Sequence, residues 1–332
     1  MESYSFKATL NNIKPLIILL KAIASSQNYN TNCLISNYGI KFSLQSSSTV
    51  EARAYIQKTY FQEYTLEINK NNDNQEIISQ TQEPNDNVNI KENSEFSNNE
   101  INNSNKNSEI IFSLNINTLL DCLTIFGGFQ LSNTNSIKNS RNDKSSNSDI
   151  NIIDNSKSRT TLRMECNSSN KRLDLLLEDN GVITVCKLNT FEFNETSEIE
   201  EMFKQFPLIN HLILNSKWLN DAFSTIDSSC DEITLRISNE IPYFEITATN
   251  VSGTIKIEYS KNPEVIETFN CKATSIFSYN YSLITSMFKA LALSTKTQIK
   301  TNSKGVIQFQ FMIPTIDTSV CFVDYIIIPS IE

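Results

Sequence analysis

Glycine, histidine and tryptophan are scarce in this chain of 332 residues, which has six glycines and one residue each of the other two. So few glycines argue against a loop that cradles nucleotide phosphates, and the G-x-x-x-x-G-K-[ST], G-x-G-x-x-G and G-x-S-x-G patterns do not occur. A histidine-based triad or metal cluster would have to centre on His211. The apolar context of His211, INHLILN, favours a partly buried histidine in a sheet instead. A catalytic site therefore has little support in the sequence.

Paired cysteines and long apolar runs are also missing. The seven cysteines are scattered and none form a C-x-x-C pair, which argues against a zinc site or a secreted disulfide framework and favours free thiols in a reducing compartment. No apolar run approaches the ~18 residues of a membrane span. The N-terminal segment MESYSFKATL lacks the basic and apolar regions of a signal peptide. We expect a soluble, intracellular protein without a metal or cofactor.

Basic residues are outnumbered. The chain has 28 lysines and arginines against 37 aspartates and glutamates, a net charge of −9 at pH 7. This balance argues against a large, uniformly basic surface for nucleic acid. A local basic patch stays compatible with it, because only the field near the bound phosphates matters for that contact.

Asparagine and serine, by contrast, are concentrated in two segments. Residues 69–110 contain 14 asparagines, and residues 130–158 contain 7 asparagines and 8 serines. Polar tracts of this kind bury too little apolar area to offset the entropy of ordering. Both are therefore predicted to be disordered inserts.

The rest of the chain is patterned mostly as strands. Segments such as NCLISNYGIKFSLQ and KRLDLLLEDNGVITVCKL contain β-branched and aromatic runs around a turn with glycine. Four stretches have helical periodicity, and each directly follows a strand-like segment. They are residues 13–26, 117–128, 216–227 and 281–293. This pattern predicts an α+β fold that is mostly antiparallel β.

The order of strands and helices repeats in the second half of the chain. LNINTLLDCL at residues 114–123 aligns with YNYSLITSMF at residues 279–288, and ATLNNIKPLIILLKAI aligns with LILNSKWLNDAFSTID. The repeat indicates an internal duplication with four structural units. We predict an N-terminal domain over residues 1–188, an acidic connector without a clear helical period over residues 189–205, and a C-terminal domain over residues 206–332.

Several segments, in this order, carry a family resemblance: YFQEY, INTLLDCLTIFGG, TLRM, LLLEDNGVITVCKLNT, LNDAFSTID, PYFEIT and CFVDY. Together they resemble the sliding DNA clamps related to proliferating cell nuclear antigen. More narrowly, the chain is similar to the Rad-family subunit of the heterotrimeric DNA-damage checkpoint clamp. The resemblance spans nearly the whole chain apart from the two inserts.

The resemblance implies a fold and a function. The fold would be a two-domain clamp with four short helices lining the inner face of curved antiparallel sheets. The protein would join two paralogous clamp subunits in a nuclear ring around double-stranded DNA, without sequence preference and without enzymatic activity. An ATP-driven clamp loader would open the ring, and its outer face would recruit checkpoint and repair proteins.

A ring that slides has to attract phosphates without reading bases, and lysines on the inner helices suit that task. Three of the predicted helices combine an apolar face with a face that bears lysine. The DNA-facing candidates are Lys14, Lys21, Lys217, Lys289 and Lys296. An ordinary solvated helix face is the alternative interpretation. The apolar face of the helix at 216–227 is predicted to include Trp218.

In the sliding clamps the connector borders a pocket for short peptide motifs of client proteins. The resemblance therefore makes the connector residues Phe191, Phe193, Glu195 and Glu198 candidates for partner binding. A plain linker would have much the same composition, so both interpretations remain open.

Two alternatives to the checkpoint subunit remain. One is a replicative clamp that forms a homotrimer. The other is a metal-dependent 3′-to-5′ exonuclease, an activity described for relatives of this subunit. Two-metal chemistry needs carboxylates that converge on ions about 4 Å apart. The candidates, Glu63, Asp174, Glu178 and Asp179, have no recurring spacing that indicates such a cluster.

The segment INTLLDCLTIFGG contains the remaining predicted helix, at residues 117–128. Asn117 or Thr118 is predicted to cap it, and Gly127 and Gly128 to end it. Cys122 has no base or cation nearby in the sequence, so we expect an inert thiol. This helix carries no lysine and is expected to attract DNA least.

Overall fold

The computed structural model describes residues 3–24, 29–69, 109–126, 160–193, 198–315 and 320–330. The helices in these ranges are α1 (Lys14–Ile23), α2 (Ile116–Leu123), α3 (Glu198–Gln205), α4 (Ser216–Ser224), α5 (Tyr281–Thr285) and α6 (Phe288–Leu293), with a 3-10 turn at Lys58–Tyr60. The first nine strands are β1 (Ser3–Leu10), β2 (Asn30–Ser36), β3 (Gly39–Ser47), β4 (Val50–Gln57), β5 (Glu63–Asn69), β6 (Ile110–Asn115), β7 (Thr161–Asn167), β8 (Arg172–Asp179) and β9 (Val182–Asn189). The other nine are β10 (Leu208–Asn215), β11 (Glu232–Ile237), β12 (Phe244–Asn250), β13 (Gly253–Tyr259), β14 (Ile266–Cys271), β15 (Ser275–Asn280), β16 (Lys296–Asn302), β17 (Ile307–Pro314) and β18 (Val320–Ile327).

The predicted fold class is confirmed: the strands form three sheets in which every recorded pairing is antiparallel. The sheet orders are β5-β1-β7-β8-β9, then β14-β10-β16-β17-β18-β4-β3-β2-β6, and β13-β12-β11-β15. Hairpin turns fix the register as the sequence indicated. Asn180 and Gly181 both have positive φ, 50° and 81°, between β8 and β9, which is the backbone that an Asn-Gly turn of type I′ requires.

The pairing repeats between the two halves of the chain. In the first half β5-β1-β7-β8-β9 form one series and β6-β2-β3-β4 another; in the second half the matching series are β14-β10-β16-β17-β18 and β15-β11-β12-β13. Each helix of the four-unit repeat follows a lead strand, β1, β6, β10 or β15. That lead strand pairs with the hairpin strands of the other unit in its half.

By this repeat, β9 matches β18 and β13 matches β4. Strands β4 and β18 pair with each other, from Val50 with Ile327 to Tyr55 with Phe322, and so join the two halves in one nine-stranded sheet. Strands β9 and β13 are the last strands of their sheets, each paired on one side only.

The main core lies between the sheets and a layer of helices. Buried apolar residues of both halves form one continuous cluster that includes residues of α1, α2, α4, α5 and α6. Along the layer α2 contacts α1, α1 contacts α6, and α6 contacts α4. Helices α1 and α6 lie at the joint of the halves, where α1 contacts β4 and β18 and α6 contacts β17.

Several predictions about elements need correction. The helix predicted over 281–293 is interrupted between Thr285 and Phe288 and forms α5 and α6. The connector, predicted to lack a helical period, contains α3. The insert 130–158 lies outside the described residues, as does the insert 69–110 except at its ends, where Asn69 ends β5 and Ile110 begins β6.

Candidate nucleic-acid interface and connector

An asparagine side chain lies at the start of four helices of the inner layer: it is the N-cap of α2, α4 and α5, and it lies one residue before the N-cap of α1. Its amide oxygen accepts a hydrogen bond from a backbone N–H two or three residues later, which satisfies a donor that the helix leaves free. The pairs are Asn12 with Lys14 N at 3.0 Å, Asn115 with Thr118 N at 2.9 Å, Asn215 with Lys217 N at 3.0 Å and Asn280 with Ser282 N at 2.9 Å. The prediction that Asn117 or Thr118 caps α2 was therefore wrong, because the capping residue is Asn115, the last residue of β6.

The lysines predicted to face DNA differ in how freely they reach solvent. Lys217 on α4 and Lys289 on α6 are exposed, whereas Lys14 and Lys21 on α1 are half-buried. Burial lowers the pKa of the Lys21 ammonium group. Lys14 and Lys21 are seven residues apart and lie on one face of α1.

Lys289 and Lys296 also have partners within the protein. Lys289 Nζ donates to the carbonyl of Ala24 at the end of α1, at 3.2 Å, so it links the helices of the two halves. Lys296 Nζ forms an ion pair with Glu267 of β14 at 2.7 Å. This pairing reduces the charge that Lys296 can offer to a phosphate. Their contact with DNA stays a prediction.

Acidic residues lie on the outer helices of the layer. Asp121 on α2 and Asp221 on α4 are both exposed. The lysines therefore concentrate on α1 and α6, in the middle of the layer, while the outer helices are less basic.

Trp218 on α4, predicted to lie in the core, is instead 44% exposed. It is one turn before Ala222, which is buried, and its carbonyl accepts a hydrogen bond from Tyr259 of β13 at 3.1 Å.

The connector begins as an extension of a sheet. The backbone of Phe191 pairs with Ser113 of β6 through two hydrogen bonds of 2.8 and 3.0 Å, and its side chain is 53% exposed. Phe193 is half-buried and Glu198 is exposed. Glu195 lies outside the described residues. Partner binding by these residues stays a prediction.

Helix α3 then packs against β4 and β18. Ile199 and Phe203 are buried with Val306 and Ile326 in a small second cluster, which is the i, i+4 pattern of an amphipathic helix. Asn302 donates to the carbonyls of Met202 and Phe203 at the end of α3, at 3.1 and 3.3 Å. The sequence signal for α3 was this short apolar pair, hidden in an acidic run.

A buried ionic network lies beneath α3. Arg53 is 3% exposed and pairs with Glu51 at 2.7 Å and with Glu200 of α3 at 3.0 Å. Lys41 and Lys204 lie 3.8 and 2.7 Å from Glu200. Burial favours the protonated form of Glu200, but Arg53, Lys41 and Lys204 outweigh it, and the pKa of Glu200 is lowered. Glu200 therefore holds the connector to the sheet as a carboxylate.

The edge strands β9 and β13 lie at opposite ends of the helix layer. Strand β9 contacts α2 at one end, and β13 contacts α4 at the other through Tyr259 and Trp218. On β9, Val182, Ile183 and Val185 are 57%, 60% and 54% exposed. A long, apolar edge strand whose backbone hydrogen-bonding groups are unpaired on one side can pair with a strand of another chain.

The carboxylates considered for an exonuclease are separated. Asp174 and Asp179 are five residues apart on β8, about 17 Å at 3.4 Å per residue, and face opposite sides of the sheet. Asp174 pairs with Arg172 at 3.3 Å, and Asp179 accepts from Thr160 at 2.7 Å. Glu63 lies on β5, at the other edge of that sheet from β9. In the described ranges, no group of three or more His, Cys, Asp or Glu residues is arranged to hold a metal ion.

His211 and the thiols occupy sheet and helix positions. His211 on β10 is half-buried, as predicted, and Nε2 hydrogen-bonds to Gln298 at 2.9 Å. Burial, with Lys300 nearby, lowers its pKa. Cys122 on α2 is a half-buried free thiol, and burial, with Cys186 and Asp121 nearby, raises its pKa to about 12. No helix within the described part of the chain is long and apolar enough to cross a membrane.

Comparison with known proteins gives consistent matches. The family model described as repair protein Rad1/Rec1/Rad17 matches residues 5–313. The cell cycle checkpoint protein RAD1 of Homo sapiens is 30% identical over 331 residues, which cover 100% of this chain and 94% of that protein. The DNA damage checkpoint control protein rad1 of Schizosaccharomyces pombe is 28% identical over 150 residues, 45% of this chain and 46% of that protein. The DNA repair exonuclease REC1 of Mycosarcoma maydis is 24% identical over 197 residues, 50% of this chain and 42% of that protein.

The family match includes most of β1, all of β6, β10 and β15, and the five helices α1, α2, α4, α5 and α6. It also includes the edge strands β9 and β13. The resemblance drawn from the sequence is thereby confirmed, and with it the relation to clamps of the proliferating cell nuclear antigen type. The chain belongs to the Rad1 family of DNA-damage checkpoint and repair proteins.

Proposed function

We propose that this protein is a non-enzymatic subunit of a heterotrimeric ring that encircles double-stranded DNA in the nucleus at sites of damage. The observation that carries the proposal is the repeated pairing of the strands. Within the chain, β4 joins β18, and the free strands β13 and β9 are their counterparts in the repeat. The same joint can therefore be made between chains, with β9 of one subunit beside the counterpart of β13 in the next.

This arrangement leads to a closed assembly. A joint between two different surfaces is heterologous, and it generates a ring when the rotation per subunit closes. The exposed valines and isoleucine of β9 would be covered in such a joint, as their counterparts on β18 are within the chain. Two paralogous subunits with the same edges would complete the ring.

Assembly is tested by placing negative charge on the edge strand β9. The variant Ile183→Glu/Val185→Glu should lose co-purification with paralogous subunits, because two carboxylates would be buried in the joint. Tyr38→Glu is the control, since Tyr38 is 73% exposed at the β2–β3 turn, on neither β9 nor β13. A stable trimer of this chain alone would favour the homotrimeric replicative clamp. An edge variant that folds and still assembles would contradict the proposal.

The helix layer would face the DNA. Lysines of α1, α4 and α6 would contact phosphates, and no base-reading geometry is required for a ring held by its topology. Removal of a single lysine–phosphate interaction should reduce the log–log salt slope of binding by about 0.9.

Charge reversal tests this part. Lys14→Glu, Lys21→Glu, Lys217→Glu and Lys289→Glu are combined in the assembled ring, and binding to duplex DNA is measured at several salt concentrations. Lys272→Glu is the control, because Lys272 is exposed on the turn after β14, outside the helix layer. The ring should bind more weakly with a smaller salt slope. Unchanged binding and retention on DNA would remove these lysines from the interface.

The outer face would serve the clamp loader and the checkpoint and repair proteins. Phe191, exposed beside β6, and Glu198, exposed at the start of α3, are the connector positions available to them. Phe191→Ala should weaken capture of checkpoint or repair proteins by the assembled ring. Val251→Ala should leave it unchanged.

The exonuclease is the alternative, favoured by the similarity to REC1 of Mycosarcoma maydis over half of the chain. The purified chain is incubated with Mg²⁺ and DNA labelled at the 3′ end. Degradation that is lost in Asp174→Asn or Asp179→Asn would establish the enzyme. Intact DNA after prolonged incubation supports the non-enzymatic subunit.

A further inference from the structure

The hairpin turn that leads into the edge strand β9 consists of Asn180 and Gly181, the one Asn-Gly pair in the chain. Both residues are exposed, and the ladder of β8 with β9 ends where Asp179 lies opposite Val182. The backbone N–H of Gly181 is therefore outside the ladder. A β-carbon built on Gly181 would meet no atom within 4 Å, so the turn is open to water.

We propose that Asn180 is a site of deamidation, in which water converts the side-chain amide to a carboxylate. The backbone nitrogen of Gly181 loses its proton to hydroxide and attacks the side-chain carbonyl carbon of Asn180. The new C–N bond closes a five-membered succinimide, the bond from that carbon to the amide nitrogen breaks, and ammonia leaves with a proton returned by water. Water then opens the ring at either carbonyl, which gives aspartate, or isoaspartate when the main chain comes to run through the side chain. One water is consumed and one ammonia is released for each residue converted.

The residue after the asparagine decides how readily the ring closes. Glycine has no side chain to shield its nitrogen, and its backbone can reach conformations that other residues avoid. At the β12–β13 hairpin Asn250 is followed by Val251, whose branched side chain is stiff and crowds the nitrogen. Exposed Asn262 is followed by Pro263, which has no N–H to lose. The chain therefore contains its own comparisons for Asn180.

The contacts of the turn depend on the amide that the reaction removes. Asn180 Nδ2 donates to Oδ1 of Asp179 at 2.6 Å, and Thr160 Oγ1 donates to Oδ2 of Asp179 at 2.7 Å. Asp179 is buried, so deamidation replaces its donor with a second carboxylate, and the two like charges repel. Isoaspartate also lengthens the main chain inside a two-residue turn, which type I′ geometry does not accommodate. The turn end of the β8–β9 ladder should therefore open.

The consequence for assembly rests on the proposed function. In the ring, β9 is the edge strand that a neighbouring subunit would join, so a chain with a deamidated turn should join its neighbour more weakly. The reaction itself belongs to the isolated chain, so its failure and the failure of the ring can be told apart.

The experiment uses the purified full chain without partners. It is incubated at 37 °C at pH 6 and pH 8, sampled over days and digested, and the peptides are mapped by mass spectrometry. The peptide containing Asn180 should gain the mass difference between a hydroxyl and an amino group and separate into an aspartate and an isoaspartate form. The rate should rise in proportion to the hydroxide concentration. The peptide containing Asn250, from the same digest, should stay unmodified. A protein isoaspartate methyltransferase with labelled S-adenosylmethionine identifies the isoaspartate form.

Variants of Asn180 separate the steps. Asn180→Gln should stop the reaction, because its ring would need six members, and Asn180→Asp supplies the charge without lengthening the main chain. Hydrogen exchange of the amides in residues 178–183 should be fastest in the incubated chain, slower in Asn180→Asp and slowest in the fresh chain.

Three results would overturn the proposal. They are an unmodified Asn180 under conditions that deamidate a synthetic peptide of the same sequence, modification only in denaturant, and equal modification of Asn250. If the incubated chain is deamidated at Asn180 but captures paralogous subunits as well as the fresh chain does, the modification site stands and its consequence for assembly is wrong.

Discussion

At the scale of single residues, Asp324 carries the most unusual environment. It lies on β18 directly opposite Arg53 of β4 and is 3% exposed. Arg53 already pairs with Glu51 and Glu200, so Asp324 is a third carboxyl beside one guanidinium. Its Oδ2 accepts from Gln308 at 3.0 Å. Burial, only partly offset by Arg53, raises the pKa of Asp324 to about 6.

This environment predicts a pH-dependent stability. The folded protein holds a proton on Asp324 that the unfolded chain releases near pH 4. The bound proton therefore stabilises the folded state fully below pH 4, and this stabilisation is lost as the pH rises through 6. The loss is about 3 kcal/mol for a difference of two units between the folded and unfolded pKa. The neutral variant Asp324→Asn should remove this dependence. Urea unfolding from pH 4 to 7 measures it.

Asp227 is the control, because its pKa is shifted in the opposite direction from that of Asp324. The pKa of exposed Asp227 is lowered by the backbone and side chain of Ser229, so its contribution is present above pH 4 and lost in acid. From pH 4 to 7 the stability difference between Asp227→Asn and the unmodified chain should therefore stay nearly constant, and it should shrink only below pH 4, unlike that of Asp324→Asn. Parallel curves for Asp324→Asn and the unmodified chain would contradict the assignment.

At the scale of elements, strand-to-helix junctions built on asparagine recur throughout the repeat. Asn215→Ala should cost about 1 kcal/mol of unfolding free energy, because the N–H of Lys217 loses its acceptor. Asn220→Ala, exposed in the middle of the same helix, should be neutral or slightly stabilising, since alanine is the better helix former. Equal losses in chemical denaturation would show that the cap has no special role.

The docking of α3 gives a second prediction at this scale. Glu200→Ala removes the carboxylate that holds α3 to the buried guanidinium of Arg53, so α3 should open more often. Hydrogen exchange of the amides in residues 198–205 should accelerate roughly tenfold, while that of β17 and β18 stays unchanged. Glu201→Ala, on the exposed side of α3, is the control and should leave the exchange rates as they are.

Most of these elements could be predicted from the sequence, and the exceptions have physical causes. Alternating strands, turns with glycine and amphipathic helices at 13–26 and 216–227 follow from local periodicity. The break between α5 and α6 did not, because the apolar pattern of residues 281–293 continues across it. Helix α3 was missed because two apolar residues in an acidic segment form a helix only when Val306 and Ile326 provide a surface for them.

The site was harder to predict than the fold. Helical spacing identified lysines on α1, α4 and α6, but the hydrogen-bond and ion-pair partners of the candidate lysines lie far away in the chain. Glu267 beside Lys296 and Ala24 beside Lys289 are examples. Trp218 was assigned to the core because it is large and apolar, although its position in α4 leaves much of it in solvent.

At the scale of the whole molecule, one tyrosine bridges the halves beneath the nine-stranded sheet. The hydroxyl of Tyr325 on β18 lies 2.7 Å from the carbonyl of Ala22 in α1 and 3.0 Å from that of Ser286 between α5 and α6. Tyr325→Phe should cost about 1–3 kcal/mol, because buried carbonyls lose their donor. Urea unfolding measures this loss.

The matched control is Tyr38→Phe, since Tyr38 is exposed at the β2–β3 turn and its loss of a hydroxyl should change the free energy by less than about 0.5 kcal/mol. A similar small change for Tyr325→Phe would mean that its hydroxyl adds little to the joint.

Each lead strand pairs with strands of the other unit in its half, and this exchange has a consequence for the origin of the molecule. A gene segment encoding one unit would specify a lead strand whose sheet lies in a different unit, as β1 depends on β7 and β6 on β2. The smallest segment that supplies every lead strand with its partners encodes two units. Copying of such a pair accounts for the repeat of the two halves, which the β4–β18 joint now unites in one sheet.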